Sequence, residues 1–238
     1  MEGDEFVLKC LRLSVCLMVF LSLLAPNSEA FAETLEVTGT VRDFQIAHPD
    51  FERSQVGYRA GMVEDRLSDD GKPVFALETG NGIVSSPETF AQWYRDIPGI
   101  NQSVPLTISL SNSEANSNIY EYGTSSFFPI DDQLFGNEGN MHNYHFTFEL
   151  HANFTYQGGE VFNFTGDDDV WVFLNGVMAL DLGGTHSAMS ASIDLDTVAT
   201  DVGLQVGELA RFAFFFAERH TTQSNCFIST TITFLDDK

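Results

Sequence analysis

Apolar and polar positions along this 238-residue chain alternate mostly with the two-residue period of strands, and no stretch of useful length shows the 3.6-residue period of an amphipathic helix. The clearest strand-like runs are 35–41, 106–110, 145–151, 160–165, 191–195, 212–217 and 227–234, together with two runs on either side of Asn175-Gly176. In the last run Ile228, Thr230, Ile232 and Phe234 fall on one face and Ser229, Thr231 and Thr233 on the other, so one face is buried and the other wet. Residues 212–217 (Phe-Ala-Phe-Phe-Phe-Ala) are apolar on both faces, which predicts a central strand. One short helix is expected over 89–96, ahead of Pro98-Gly99. Gly, Asn, Asp and Ser turns separate the runs, with no repeat and no linker. The pattern predicts an all-β fold, a single antiparallel β-sandwich or jelly-roll-like domain over residues 33–238 with one or two short helices at most.

Asn175-Gly176 between two apolar runs is a strong signal for a two-residue hairpin. Folding the chain there in simple register pairs Leu174 with Val177, Phe173 with Met178, Val172 with Ala179, Trp171 with Leu180 and Val170 with Asp181. Three consecutive carboxylates, Asp167, Asp168 and Asp169, lead into this hairpin, and the register brings Asp181 beside them. Adjacent carboxylates repel, and partial burial at a sheet end raises the cost of keeping all of them ionised. A bound cation resolves that cost. An oxygen-only cluster without Cys suits a hard ion such as Ca²⁺, whereas an acidic, solvated turn is the plainer alternative. Position 12 counted from Asp167 is Met178, which excludes an EF-hand, and the six histidines fit no zinc spacing. Gly183-Gly184-Thr185-His186 leaves the same edge. The loop 218–225 (Glu-Arg-His-Thr-Thr-Gln-Ser-Asn) is dense in donors and oxygens: Asn225 offers a carbonyl oxygen to a hard cation, and Arg219 a partner for Glu218 or the Asp run. His186, Arg219, His220 and Gln223 are the candidate ligand-contacting residues. Trp171 and Phe173 lie within an apolar strand and are expected in the core.

Lys9 and Arg12 precede an apolar run from Leu13 to Ala25, and Ala30-Phe31-Ala32 supplies a small-x-small cleavage site, so residues 1–32 are expected to be a signal peptide. That segment holds two basic residues (Lys9, Arg12) and four acidic ones (Glu2, Asp4, Glu5, Glu29), so the formal charge of −23 becomes −21 after its removal. So acidic a chain is a poor partner for nucleic acid or anionic lipid and a good one for cations. Cys10 and Cys16 lie in the leader, leaving Cys226 without a disulfide partner. A secreted or cell-surface protein that does not insert in a membrane after cleavage is expected. Asn101-Gln102-Ser103, Asn153-Phe154-Thr155 and Asn163-Phe164-Thr165 are glycosylation sequons.

The run Gly166-Asp167-Asp168-Asp169-Val170-Trp171-Val172-Phe173-Leu174-Asn175-Gly176, with Asp181-Leu182-Gly183-Gly184-Thr185-His186 and Phe216-Ala217-Glu218-Arg219-His220, closely resembles the fibro-slime domain. Thr38 to Phe44, His48-Pro49-Asp50-Phe51, Trp93-Tyr94-Arg95-Asp96, Phe128-Pro129-Ile130-Asp131 and Asn143 to Phe148 extend the resemblance over roughly residues 35–235. That family is similar to the protective-antigen (PA14) type β-sandwich of lectins and adhesins. The resemblance implies a Ca²⁺ ion held by two successive Asp residues joined by a cis peptide, here Asp167 and Asp168, with an Asn at the position of Asn225. Asp169 stands where the family often has a small residue. A Ca²⁺-dependent lectin or adhesion module is therefore expected, with Asp167, Asp168 and Asn225 as ligands, Asp169 or Asp181 assisting, and cell-surface or matrix glycans or glycoproteins as partners. Two rivals follow from the same residues: a purely structural ion in a protein-interaction or matrix-assembly domain, and a glycosidase using Asp168 and Asp181 as acid and base. The crowding of the carboxylates at one point disfavours the enzyme, and no nucleophile motif replaces it.

Overall fold

The computed structural model describes residues 33–54, 57–78, 81–112 and 117–235, and the expected signal segment lies outside them. The elements run β1 (Thr34–Phe44), α1 (Pro87–Phe90), β2 (Asn101–Ser111), β3 (Tyr120–Thr124), β4 (Phe146–Thr155), β5 (Val161–Gly166), β6 (Asp169–Leu174), β7 (Val177–Leu182), β8 (Met189–Asp194), α2 (Leu195–Val202), β9 (Leu209–Glu218), β10 (Cys226–Thr230) and β11 (Phe234–Leu235). All ladders are antiparallel, in the order β7-β6-β9-β4-β1-β2-β3-β10-β5-β8, with β11 on β4. The join between β2 and β3 is a single pair, Ser111 with Glu121. There the sheet folds over, and Phe162 and Phe164 of β5 meet Phe212 and Phe214 of β9 at ring separations of 5.2 and 5.7 Å. The result is the expected all-β sandwich, built as one continuous, nearly closed sheet.

Strand β9 lies between β6 and β4, as its two apolar faces predict. Phe212, Phe214 and Phe216 enter the core between the two halves. On the opposite face Ala213, Phe215 and Ala217 join Trp171 and Phe173 of β6 in a second core, closed by Met62, Val63, Phe75, Val84, Phe90, Trp93 and Tyr94. Each large side chain buried this way contributes about 1.5–3 kcal/mol. Trp171 and Phe173 are fully buried, so neither is available to stack on a ligand.

Three sequence expectations are corrected, and one element appears where none was placed. The final run is not one strand: β10 ends at Thr230, and the chain crosses to pair Phe234 with Phe154 on the other half, while Thr230, Ile232 and Phe234 stay buried. The helix expected over 89–96 is shorter and earlier, because Ser86 caps it and accepts from the Thr89 amide. An unforeseen helix, α2, starts where Asp194 accepts from the Asp196 amide and stops at Gly203 with φ +68°. In the β6–β7 hairpin a register shift between Val172 and Phe173 places Asp181 opposite Trp171 and Leu182 opposite Val170. Ala179 is the extra residue.

Asp43, buried on β1, gives a pH test of the fold. Burial pushes its carboxyl up from 3.8 to about 6, against hydrogen bonds from the Asn143 side chain and the Phe135 amide. Because the native carboxyl takes up its proton first, its contribution to stability is full below about pH 4 and is lost as pH rises through about 6. An NMR titration of the Asp43 carboxyl carbon should show a midpoint near 6, and a midpoint near 4 would contradict this reading.

Candidate functional site

The site forms where β5 hands over to β6. Gly166 is required there: a Cβ would collide with the Asn225 carbonyl and the Phe164 ring. The Asp167–Asp168 peptide bond is cis. Asp167 accepts from Asn225 twice, from its amide at 2.5 Å and from Nδ2 at 2.8 Å. Asp168 accepts from the His186 amide at 3.2 Å and the Arg219 amide at 3.1 Å. The two carboxylates thus draw together the strand end, the loop after β7 and the loop between β9 and β10. Both are nearly buried, at 2 % and 5 % exposure, yet both line an open cleft of about 520 Å³ with Tyr58, His186, His220 and Gln223. Gly166→Ala should therefore cost about 1–3 kcal/mol by overpacking and push Asn225 away from Asp167. A melting temperature equal to wild type would contradict the close packing at this point.

Asp169 and Asp181, expected beside the pair, have other partners. Asp169 is fully buried and ion-paired with Arg219, through Nε at 2.5 Å and Nη2 at 3.1 Å, and it also accepts from the Gly184 amide. Asp181, displaced by the bulge, accepts from the Trp171 indole at 3.0 Å and from the Gly61 and Gly183 amides. It does not line the cleft opposite Asp168, so the arrangement expected of a glycosidase pair is not formed. Arg219 pairs with Asp169 and not with Glu218. It lies beneath the cleft, with its guanidinium 5.0 Å from the centre of the Trp93 ring and Nη1 donating to the Ile83 carbonyl. The ring nitrogens of His186 lie at hydrogen-bond distance from the Leu182 and Ser187 carbonyls. His220 holds the Arg53 carbonyl through Nε2 at 2.9 Å.

Two functional neighbours were not foreseen. Asp50 is buried and accepts from the Trp93 indole, the Ser85 amide and the Thr89 hydroxyl, which locks the layer beneath Arg219. Glu218 is fully buried, and its Oε2 has no hydrogen-bond partner. Burial drives its carboxyl well above the ordinary range, and the Asp168 charge adds to this. Burial also raises Asp168; Arg219 opposes the shift, while Asp169 and Asp167 reinforce it. The signal for Glu218 was present in the sequence: a carboxylate ending a strand that is apolar on both faces has no wet side to face.

Among the described residues no three His, Cys, Asp or Glu side chains form a ready metal cage. The cleft offers two carboxylates, with the Asn225 side chain bonded to Asp167 at its edge. That all-oxygen set suits a hard cation whose remaining positions are filled by other molecules. Among the described residues Arg219 forms its ion pair with Asp169, and Asp167, Asp168 and Glu218 form none.

Fold and site together define an all-β domain with a paired-carboxylate cleft at one end of its sandwich. Residues 130–236, which include most of that cleft, match the PA14 domain family. Among relatives, Protein psiQ of Dictyostelium discoideum is 41% identical over 203 residues, covering 80% of this chain and 20% of that protein. Protein psiD of the same organism is 36% identical over 223 residues, covering 87% and 43%. The chain thus spans less than half the length of either relative. Among solved structures, the PA14 domain of the MpAFP antifreeze protein is 13% identical with a TM-score of 0.30, covering 48% of this chain and 65% of that one. The PA14 sugar-binding domain from an RTX adhesin is 10% identical with a TM-score of 0.31, covering 84% and 95%.

Proposed function

We propose that this chain is a calcium-dependent glycan-binding module acting outside the cell, with Asp167, Asp168 and Asn225 as the protein ligands of the ion. The observation that carries this reading is the pair of adjacent, nearly buried carboxylates lining an open cleft, with the Arg219 guanidinium already engaged by Asp169. Bound Ca²⁺ would supply a Lewis-acidic centre for vicinal sugar hydroxyls. This chain's own residues prepare the place: Asn225 fixes Asp167, the His186 and Arg219 amides fix Asp168, and Tyr58, His186 and Gln223 form the walls a saccharide would meet. The donors on one side and the opening on the other favour an ion that meets ligand over one enclosed by protein. A glycan array in millimolar calcium should give signals that vanish in chelator. Identical signals in chelator, or none in either condition, would overturn the reading.

A further inference from the structure

A second cleft, of about 390 Å³, opens at the other end of β6 beside the Asn175-Gly176 turn, and its volume lies in the range of small-ligand sites. Its lining includes Arg66, Arg211, His151 and Asn153 above a floor that contains Phe173 and Phe212. Its walls are tied down: the Asn175 side chain donates to the Val202 carbonyl and accepts from the Arg211 amide, and the Leu67 amide donates to the Gly176 carbonyl.

Two arginines without a carboxylate partner on one cleft stand out in so acidic a chain. Among the described residues Arg42, Lys72, Arg95 and Arg219 are each ion-paired with a carboxylate. Arg53 is held by the Pro49 and Gly82 carbonyls and Ser85. Arg59, Arg66 and Arg211 are exposed and have no ion pair, and of these three Arg66 and Arg211 share this cleft. Asp69 stands on the same rim, also outside any ion pair. His151 is paired with Glu149, whose charge is shared with Arg42 and Lys72.

Two free guanidiniums match a carboxylate. Asp69 and Asn153 supply partners for hydroxyls. We propose that this cleft is a second, calcium-independent site that takes an acidic saccharide, a uronic acid unit with its carboxylate on Arg66 and Arg211. It is separate from the Asp167–Asp168 cleft and stands whether or not that cleft binds calcium.

The test is calorimetric titration of the whole chain, made in a host that does not glycosylate because Asn153 lies in a sequon, with chelator present throughout. The probes are a uronic-acid tetrasaccharide, its carboxyl-reduced neutral counterpart, and sodium sulfate. The acidic tetrasaccharide should bind saturably, R66Q and R211Q should each weaken it about tenfold or more while melting like wild type, and D168N should leave it unchanged. The reduced counterpart and sulfate should bind far more weakly. Absence of saturable binding, equal binding of the neutral sugar or of sulfate, or indifference to both arginine substitutions would overturn the proposal.

Discussion

Arg219→Met is expected to destabilise the domain severely. The guanidinium is buried, bidentate on Asp169, bonded to the Ile83 carbonyl and seated against Trp93. Methionine fills much of the same space but leaves Asp169 buried without its cation, beside Asp167, Asp168 and Glu218. Breaking a buried pair from one side costs about 3–5 kcal/mol, and for a domain of this size that lowers the melting temperature by roughly 6–20 °C. Adding Asp169→Asn to the variant removes the orphaned charge and should recover part of the loss, so the two changes together should cost less than their sum. Thermal melts of the two singles and the double in chelator check this. A fall of no more than about 2 °C for Arg219→Met, below 1 kcal/mol on the same scale, would show that the pair does not anchor the site.

The sequence carried the fold class well and the site in part, and the misses have separable causes. Alternation placed β9 at the centre because both faces of Phe212 to Ala217 are apolar, and the structure shows a different core on each face. Turn chemistry located the β6–β7 hairpin at Asn175-Gly176, but a bulge is invisible to a period-two pattern. One extra residue, Ala179, was enough to carry Asp181 to the Trp171 indole. Asp169 looked like a neighbour of Asp167 and Asp168 because adjacency in sequence was read as convergence in space. Along a strand, successive side chains point to opposite faces, and Asp169 already belongs to β6, with Arg219 beneath it. The supporting layer of Asp50, Trp93 and Glu218 comes from segments far apart in the chain, which no local pattern joins. Asp167, Asp168, His186, His220 and Gln223 do line one cleft, with Asn225 bonded to Asp167 at its edge.

The architecture explains how a sandwich can present such a cleft. The carboxylates sit at strand ends, where backbone amides of neighbouring loops are free to hold them, while the β6–β9 ladder behind them is buried in the core. Surface loops on a fixed scaffold are the usual place for recognition.

The central claim is that Asp167 and Asp168 hold calcium in a form open to ligand, and Asp168→Asn tests it most directly. The substitution keeps shape and removes one charge, so circular dichroism should remain β-like. The measurement is the melting temperature of wild type and variant in about 10 mM calcium and in chelator. Extracellular modules bind calcium at about 10⁻⁴–10⁻³ M, so this concentration is roughly 10–100 times the dissociation constant and stabilises by about 1.4–2.7 kcal/mol. Wild type should therefore melt roughly 3–10 °C higher in calcium than in chelator, and Asp168→Asn should show no shift while remaining folded and no longer binding glycan. A wild-type melting temperature that is the same in calcium and in chelator would contradict the account.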